Sequence, residues 1–201
     1  MKTHLGSAHW MNRKKMKKII KPIGNKHKKF HSLNELISAL KNEQSTKYHD
    51  ILHSMEIPKS AFEVFCSWSE STYTRNCIFE NERFELILIC WQSSHKTPIH
   101  DHGGEECWVK VIDGEFKETV YKSNEVSEVN ILKTNLFKVG DISYMIDFMG
   151  CHQLKNLSSH RALSLHLYAK PIRNCNIYDE QSKEFVQKKM SYHTVSNGTI
   201  S

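Results

Sequence analysis

His100 and His102 stand two residues apart in Pro98-Ile99-His100-Asp101-His102, and Cys107 and Gly114 follow. In extended backbone, side chains alternate between faces, so two residues at this spacing present both imidazoles to one side. Pro98 and the Gly103-Gly104 pair punctuate the segment, which favours a short strand or bend over a helix. Two imidazoles aimed at one point are half of a metal site. A bare pair of this kind also occurs as solvated loop histidines. A second polar row lies downstream. On a strand over 163–168, Ser164, His166 and Tyr168 share one face while Leu163, Leu165 and Leu167 share the other. The polar row meets either solvent or a polar interior.

The elements that must position these groups read as short strands at 84–91, 107–111, 116–121, 142–146 and 163–168. Asp113-Gly114 is a hairpin turn signal between two of them. Serial short strands with turn signals indicate a mainly β barrel or sandwich. Ahead of them, Ser32-Leu33-Asn34-Glu35 is a capping box, and Leu33, Leu36, Ile37 and Leu40 form a helical stripe. A second amphipathic segment covers 48–55 and Pro58 opens a third. These two or three N-terminal helices are expected to pack their apolar faces against the barrel.

The pattern His100-x-His102-x4-Cys107-x6-Gly114 resembles the first cupin motif, with Cys107 in the slot where a glutamate ligand is usual. Gly140, Gly150, His152 and Asn156 resemble the second motif. The interval from Gly140 to His152 is one residue longer than that pattern, and Ile146 holds the usual proline position. More specifically, Tyr73-Thr74-Arg75-Asn76, Leu86-Ile87-Leu88-Ile89-Cys90-Trp91, the His100/His102/Cys107/Gly114 run, Lys117-Glu118-Thr119, Gly150-Cys151-His152 and Ser164-Leu165-His166-Leu167-Tyr168 together resemble the cysteine dioxygenase family. The resemblance covers roughly residues 33 to 180. It implies a cupin (double-stranded β-helix, jelly-roll) barrel and a non-haem Fe(2+) centre held by His100, His102 and His152.

Ferrous oxygenases more often combine two histidines with a carboxylate. Three neutral imidazoles make sense where the substrate brings its own anion, and a thiolate would do so. Glu105 and Glu106 are close enough in sequence to compete as carboxylate ligands. The Cys107-to-Gly114 interval favours Cys107 in the slot, since a shift of one residue along a strand turns a side chain to the opposite face. By resemblance, Arg75 grips the substrate carboxylate, with the Tyr73 hydroxyl beside it. Tyr168 presents its phenol near iron, His166 and Ser164 orient it through a hydrogen-bonded relay, and Cys107 forms a thioether to the Tyr168 ring. The implied reaction converts L-cysteine and O2 to cysteine sulfinic acid. Alternatives are a dioxygenase of another small thiol, such as 3-mercaptopropionate or cysteamine, and a non-catalytic metal-binding cupin sensor. The family commonly carries two prolines soon after the tyrosine. This chain reads Tyr168-Ala169-Lys170-Pro171, so a trans bond is expected before Lys170.

The 201 residues, 39% of them hydrophobic, suffice for one domain with a core. The net charge of +6 is misleading, because residues 1–30 carry ten Lys or Arg and no acid. The remaining residues hold 18 basic and 22 acidic side chains, a net of −4. The organisation read from this is a basic, disordered leader over 1–30, helices plus barrel over 31–180 and a loose extension over 181–201. Met11 or Met16 are candidate true starts, and an arm for nucleic acid or an anionic membrane is the competing reading of the lysines. Six cysteines form no CxxC pair, which argues against a zinc knuckle. With no secretory signal in view, a cytoplasmic monomer without disulfides, nucleic acid or membrane partners is expected. Cys151 and Cys175 are read as structural, and His95 and His160 as surface residues.

Overall fold

The computed structural model describes residues 28–123 and 129–196. Most of the basic leader lies outside these residues. The described chain begins with helix α1 (Leu33–Asn42), a 3-10 turn at Ser45–Lys47 and helix α2 (Tyr48–His53). The capping box forms as read: Ser32 Oγ accepts from the Glu35 amide at 3.3 Å, and Glu35 Oε2 accepts from the Ser32 amide at 3.3 Å. Leu33, Leu36, Ile37 and Leu40 are all buried. The third helix is a 3-10 segment, Lys59–Phe65, rather than an α-helix. Its apolar contacts recur every three residues, at Phe62 and Phe65, which matches three residues per turn.

Eleven strands follow among the described residues: β1 (Thr74–Glu80), β2 (Glu85–Trp91), β3 (Glu106–Asp113), β4 (Glu115–Ser123), β5 (Val129–Lys138), β6 (Ile142–Met145), β7 (Cys151–Asn156), β8 (Ala162–Ala169), β9 (Asn174–Asp179), β10 (Glu184–Lys189) and β11 (Thr194–Val195). One sheet runs β11-β1-β2-β8-β3-β6, facing a sheet β5-β4-β7 and the pair β10-β9. His100 stands between the last two as a single bridging residue, paired with His152 on β7 and Ile177 on β9. The product is a mainly β jelly-roll barrel of the cupin type with helices on one side.

The six-stranded sheet is covered on both faces, so β2 is buried along its whole length. That is why it reads as an unbroken apolar run instead of alternating. Leu86, Leu88, Leu163, Leu165 and Leu167 meet the helices through Leu36, Leu40 and Leu52. Each such leucine contributes about 2 kcal/mol by leaving water. Ile87, Ile89, Trp91, Cys107, Val109 and Tyr168 point the other way, into the barrel. The Ser164/His166/Tyr168 row therefore faces an interior, and all three side chains are buried.

Two expectations change. Asp113-Gly114 is no hairpin, because β3 pairs with β6 and β8 while β4 pairs with β5 and β7. Gly114 is instead the corner at which the chain leaves one sheet for the other. Its φ is +87°, and a Cβ there would stand 2.6 Å from Ala162 Cβ. The segment around His100 keeps to its reading as a short strand or bend, with a bend at Ile99 and His100 as a single bridging residue. The second difference is the C-terminal segment, which is built into the fold: β10 pairs with β9 along six residues and β11 pairs in parallel with β1. Its high polarity hid that pairing.

Candidate metal centre and adjoining cavity

The three histidines of the sequence reading converge. One ring nitrogen from each of His100, His102 and His152 lies within 4.8 Å of the other two, and ring centroids are 4.7 to 5.4 Å apart. Backbone pairing brings two of them together: the His100 amide donates to His152 O at 3.0 Å and the His152 amide to His100 O at 2.9 Å. Gly150 makes this approach possible. Its φ is +108°, and a Cβ would stand 2.2 Å from Tyr121 O on the neighbouring β4. Asp101 faces away and fastens the segment to β9, accepting from the Asn176 amide at 2.8 Å and from its side chain at 2.7 Å. Asp147 Oδ1 accepts from the His102 amide at 2.8 Å.

The other ring nitrogens are held in turn. His100 Nδ1 lies 3.0 Å from Pro98 O. His152 Nδ1 lies 2.9 Å from Glu118 Oε1, which also accepts from Ser143 Oγ at 2.7 Å, while Asn135 donates to Oε2 at 2.9 Å. Burial alone would raise the Glu118 pKa, but these hydrogen bonds, led by that of His152, prevail and lower it. Such outer partners fix the ring orientation of metal ligands. Withdrawal from water, then the neighbouring His152, pushes His100 down to about 3; the same two causes, in that order, lower His102. His100 and His102 thus present neutral imidazole donors, and His102 Nδ1 is buried with no hydrogen-bond partner. This donor set fits a divalent transition metal with positions left open.

Glu106 is not part of the cluster. It accepts from Tyr144 Oη at 2.8 Å, while its neighbour Cys107 faces the barrel interior. Among the described residues, the three-residue cluster of metal-binding type contains no carboxylate.

Tyr73, Arg75, His100, His166 and Tyr168 line one cavity beside the trio. Ser164 lies beneath it. Trp91 Nε1 donates to Ser164 Oγ at 2.9 Å, and that hydroxyl is 2.8 Å from His166 Nε2. The hydrogen-bonded relay stops there, since His166 Nδ1 has no partner and the link onward to Tyr168 is ring stacking at 6.3 Å. Cys107 and Tyr168 stand directly opposite across β3 and β8. Burial raises the pKa of both, so thiol and phenol are neutral. The peptide before Lys170 is trans, and Lys170 itself sits at φ +82°.

Arg75 is 5% exposed, yet its Nε and Nη2 have no hydrogen-bond acceptor. Its guanidinium carbon lies 5.9 Å from the centroid of the Tyr168 ring. The sequence reading missed Thr97, Leu154, Cys175, Ile177, Lys188 and Met190, which complete the cavity wall. Four of those come from β9 to the residue after β10, and two of the four, Lys188 and Met190, lie in the 181–201 stretch read as loose. Glu118 was also missed, although a signal existed: on β4 it shares a face with Phe116 and Val120, and a carboxylate in an apolar row must have a buried partner.

A jelly-roll barrel holding three inward imidazoles next to an unsatisfied arginine defines a metal-binding cupin whose cavity suits a small anion. The chain belongs to the cysteine dioxygenase type I family, whose model matches residues 21–181. It is 28% identical to cysteine dioxygenase type 1 of Homo sapiens over 151 residues, covering 72% of this chain and 74% of that protein. Against the Danio rerio protein of the same name it is 30% identical over 148 residues, covering 71% and 74%. A double-stranded β-helix protein from Klebsiella pneumoniae superposes with a TM-score of 0.48 at 14% identity, covering 59% of this chain and 94% of that one.

Proposed function

We propose that the protein is a non-haem Fe(II) thiol dioxygenase that converts L-cysteine and O2 to cysteine sulfinic acid, with His100, His102 and His152 holding the metal. The observation that carries this reading is Arg75: a buried guanidinium with two free nitrogens, in one cavity with His100 and Tyr168. Two buried guanidinium nitrogens without a hydrogen-bond acceptor are costly until a further anion arrives, and a carboxylate matches the planar fork of donors. Bound iron would supply the redox chemistry that dioxygen requires and a seat for a thiolate.

The chain's own residues do the rest. Arg75 orients the substrate by its carboxylate, with the Tyr73 hydroxyl at the same end of the cavity. Ile89, Leu154 and Ile177 keep water from the wall between the two ends. Tyr168 remains protonated and offers its hydroxyl as a donor near the reacting sulfur. His166, anchored by Ser164, packs the Tyr168 ring in place. Fixing both ends of a small thiol in this way relies on proximity and orientation. Overall, RSH and O2 become RSO2H, so no outside reductant is needed.

Oxygen uptake by iron-loaded protein with cysteine, 3-mercaptopropionate and cysteamine, with product mass, tests the assignment. Cysteine is expected to be the best substrate and to gain two oxygen atoms. Equal or better turnover of another thiol would reassign the substrate, and iron binding without oxygen consumption would favour a sensor. The opposition of Cys107 and Tyr168 also supports a thioether between them, formed with loss of two hydrogens to O2. Intact mass 2 Da lower in part of the population, abolished in Cys107→Ser, is the expected signature; its absence after incubation with iron, cysteine and oxygen overturns the crosslink.

A further inference from the structure

Glu85 is wholly buried at the start of β2, opposite Tyr168 on β8 and close to Arg75. Its Oε1 lies 3.8 Å from Arg75 Nη2. A buried arginine and carboxylate this close would ordinarily close into a hydrogen-bonded pair, often bidentate. Here they do not, and Arg75 Nε and Nη2 stay free.

The reason lies in what occupies Glu85. Its Oε1 accepts from the Ile172 amide at 3.0 Å, and its Oε2 from Tyr192 Oη. Tyr192 is itself held from outside: its hydroxyl meets Glu80 Oε2 at 2.8 Å, and Arg173 Nη1 donates to that hydroxyl at 3.2 Å and to Glu80 at 3.0 Å. One hydroxyl has one hydrogen, yet two carboxyl groups touch it. The two carboxyl groups share that one hydrogen, and burial raises the pKa of Glu85 while the Tyr192 and Ile172 hydrogen bonds oppose the rise. The next residue ties the same segment to the arginine's backbone: the Arg75 amide donates to His193 Nδ1 at 3.0 Å and the His193 amide to Arg75 O at 2.7 Å.

We propose that Tyr192 is a positioning residue that holds Glu85 off Arg75 and so reserves the guanidinium for the carboxylate of an incoming thiol. The assignment rests on the reading of Arg75 given under Proposed function. Without the Tyr192 hydroxyl, Glu85 Oε2 loses its donor, and the Arg75 guanidinium, whose Nη2 lies 3.8 Å from Oε1, is within reach of the carboxyl group. The internal pair then competes with the substrate for the same nitrogens.

The test uses the iron-loaded full-length chain and the carboxylate-bearing thiol it turns over best. Tyr192→Phe keeps the ring and is expected to raise KM about tenfold with kcat within about twofold, the scale of one hydrogen bond to a charged group. Glu85→Gln removes the competing charge, so the double variant Tyr192→Phe/Glu85→Gln is expected to recover most of the loss in KM. A merely structural role would instead lower the unfolding temperature and kcat, and Glu85→Gln would not rescue either. Unchanged KM in Tyr192→Phe, or a rise that the double variant keeps, overturns the proposal. Arg75→Lys serves as the reference: if it leaves KM untouched, the reading of the site falls and this assignment falls with it, whereas a large effect there with none at Tyr192 removes this assignment alone.

Discussion

The two ends of the cavity are built in opposite ways. At the metal end, two ligands come from one five-residue run and the third lies opposite His100 in a backbone bridge. Two of the three rings have their outer nitrogen engaged, by Pro98 O and Glu118. At the anion end, Arg75 on β1 shares the cavity wall with Tyr168, Cys175 and Met190 from segments far apart in sequence, and its Nε and Nη2 are left without an acceptor. The metal end is thus pre-set by local hydrogen bonding, while the anion end is completed by whatever binds there. On the proposed function, selectivity among thiols would reside where the unmet donors are, because a buried polar group left unpaired costs about 1–3 kcal/mol.

The largest effect that would sharpen this contrast is loss of a ligand. His102→Ala is expected to leave no stoichiometric iron and no oxygen uptake, while circular dichroism keeps the β signature; metal analysis reads the first and an oxygen electrode the second. Iron bound at the wild-type level would show that the trio is not the site. Glu118→Gln comes next. It keeps the shape but removes the charge facing His152 Nδ1, so metal affinity should fall about 10- to 100-fold, the usual range for such outer partners, with KM for thiol unchanged at saturating iron. An equal loss in KM would break the separation of the two ends. Arg75→Lys is the mirror of that experiment. A single ammonium replaces a planar fork, so KM for a carboxylate-bearing thiol should rise by about tenfold or more while iron content is unaltered.

The same contrast governs how much the sequence disclosed. His100, His102 and His152 were legible through the family resemblance, since the spacing of the first two alone also suits solvated loop histidines. The Ser164/His166/Tyr168 row was legible as a face, though periodicity could not say whether that face met water or an interior. The apolar run of β2 supplies the answer only once helices are known to cover the other side. Glu85 and Tyr192 were illegible for a physical reason: they are 107 residues apart, and each looks like an ordinary polar residue until both are packed against Arg75. β5 went unread because its residues are mostly exposed and show no apolar alternation. β10 is mostly exposed and ends in charged residues, so it looked like tail although it pairs with β9 and its Lys188 reaches the cavity.

The smallest expected effect bears on whether the helical layer takes part in either end. Ser32 caps α1 through the Glu35 amide, and Glu35 returns the bond to the Ser32 amide. Ser32→Ala removes one half of that exchange and should cost about 1 kcal/mol of stability. For a chain of this size the unfolding midpoint should drop by roughly 2–4 °C. The stripe of Leu33, Leu36, Ile37 and Leu40 packs on the face of the six-stranded sheet that points away from the cavity. Iron content and KM should therefore match wild type when both are measured well below the midpoint. A shift in KM with the same small loss of stability would mean that Glu85 and Leu86, neighbours on β2 with opposite faces, pass strain from the helices to Arg75. The anion end would then depend on the whole sheet, and not on the C-terminal segment alone.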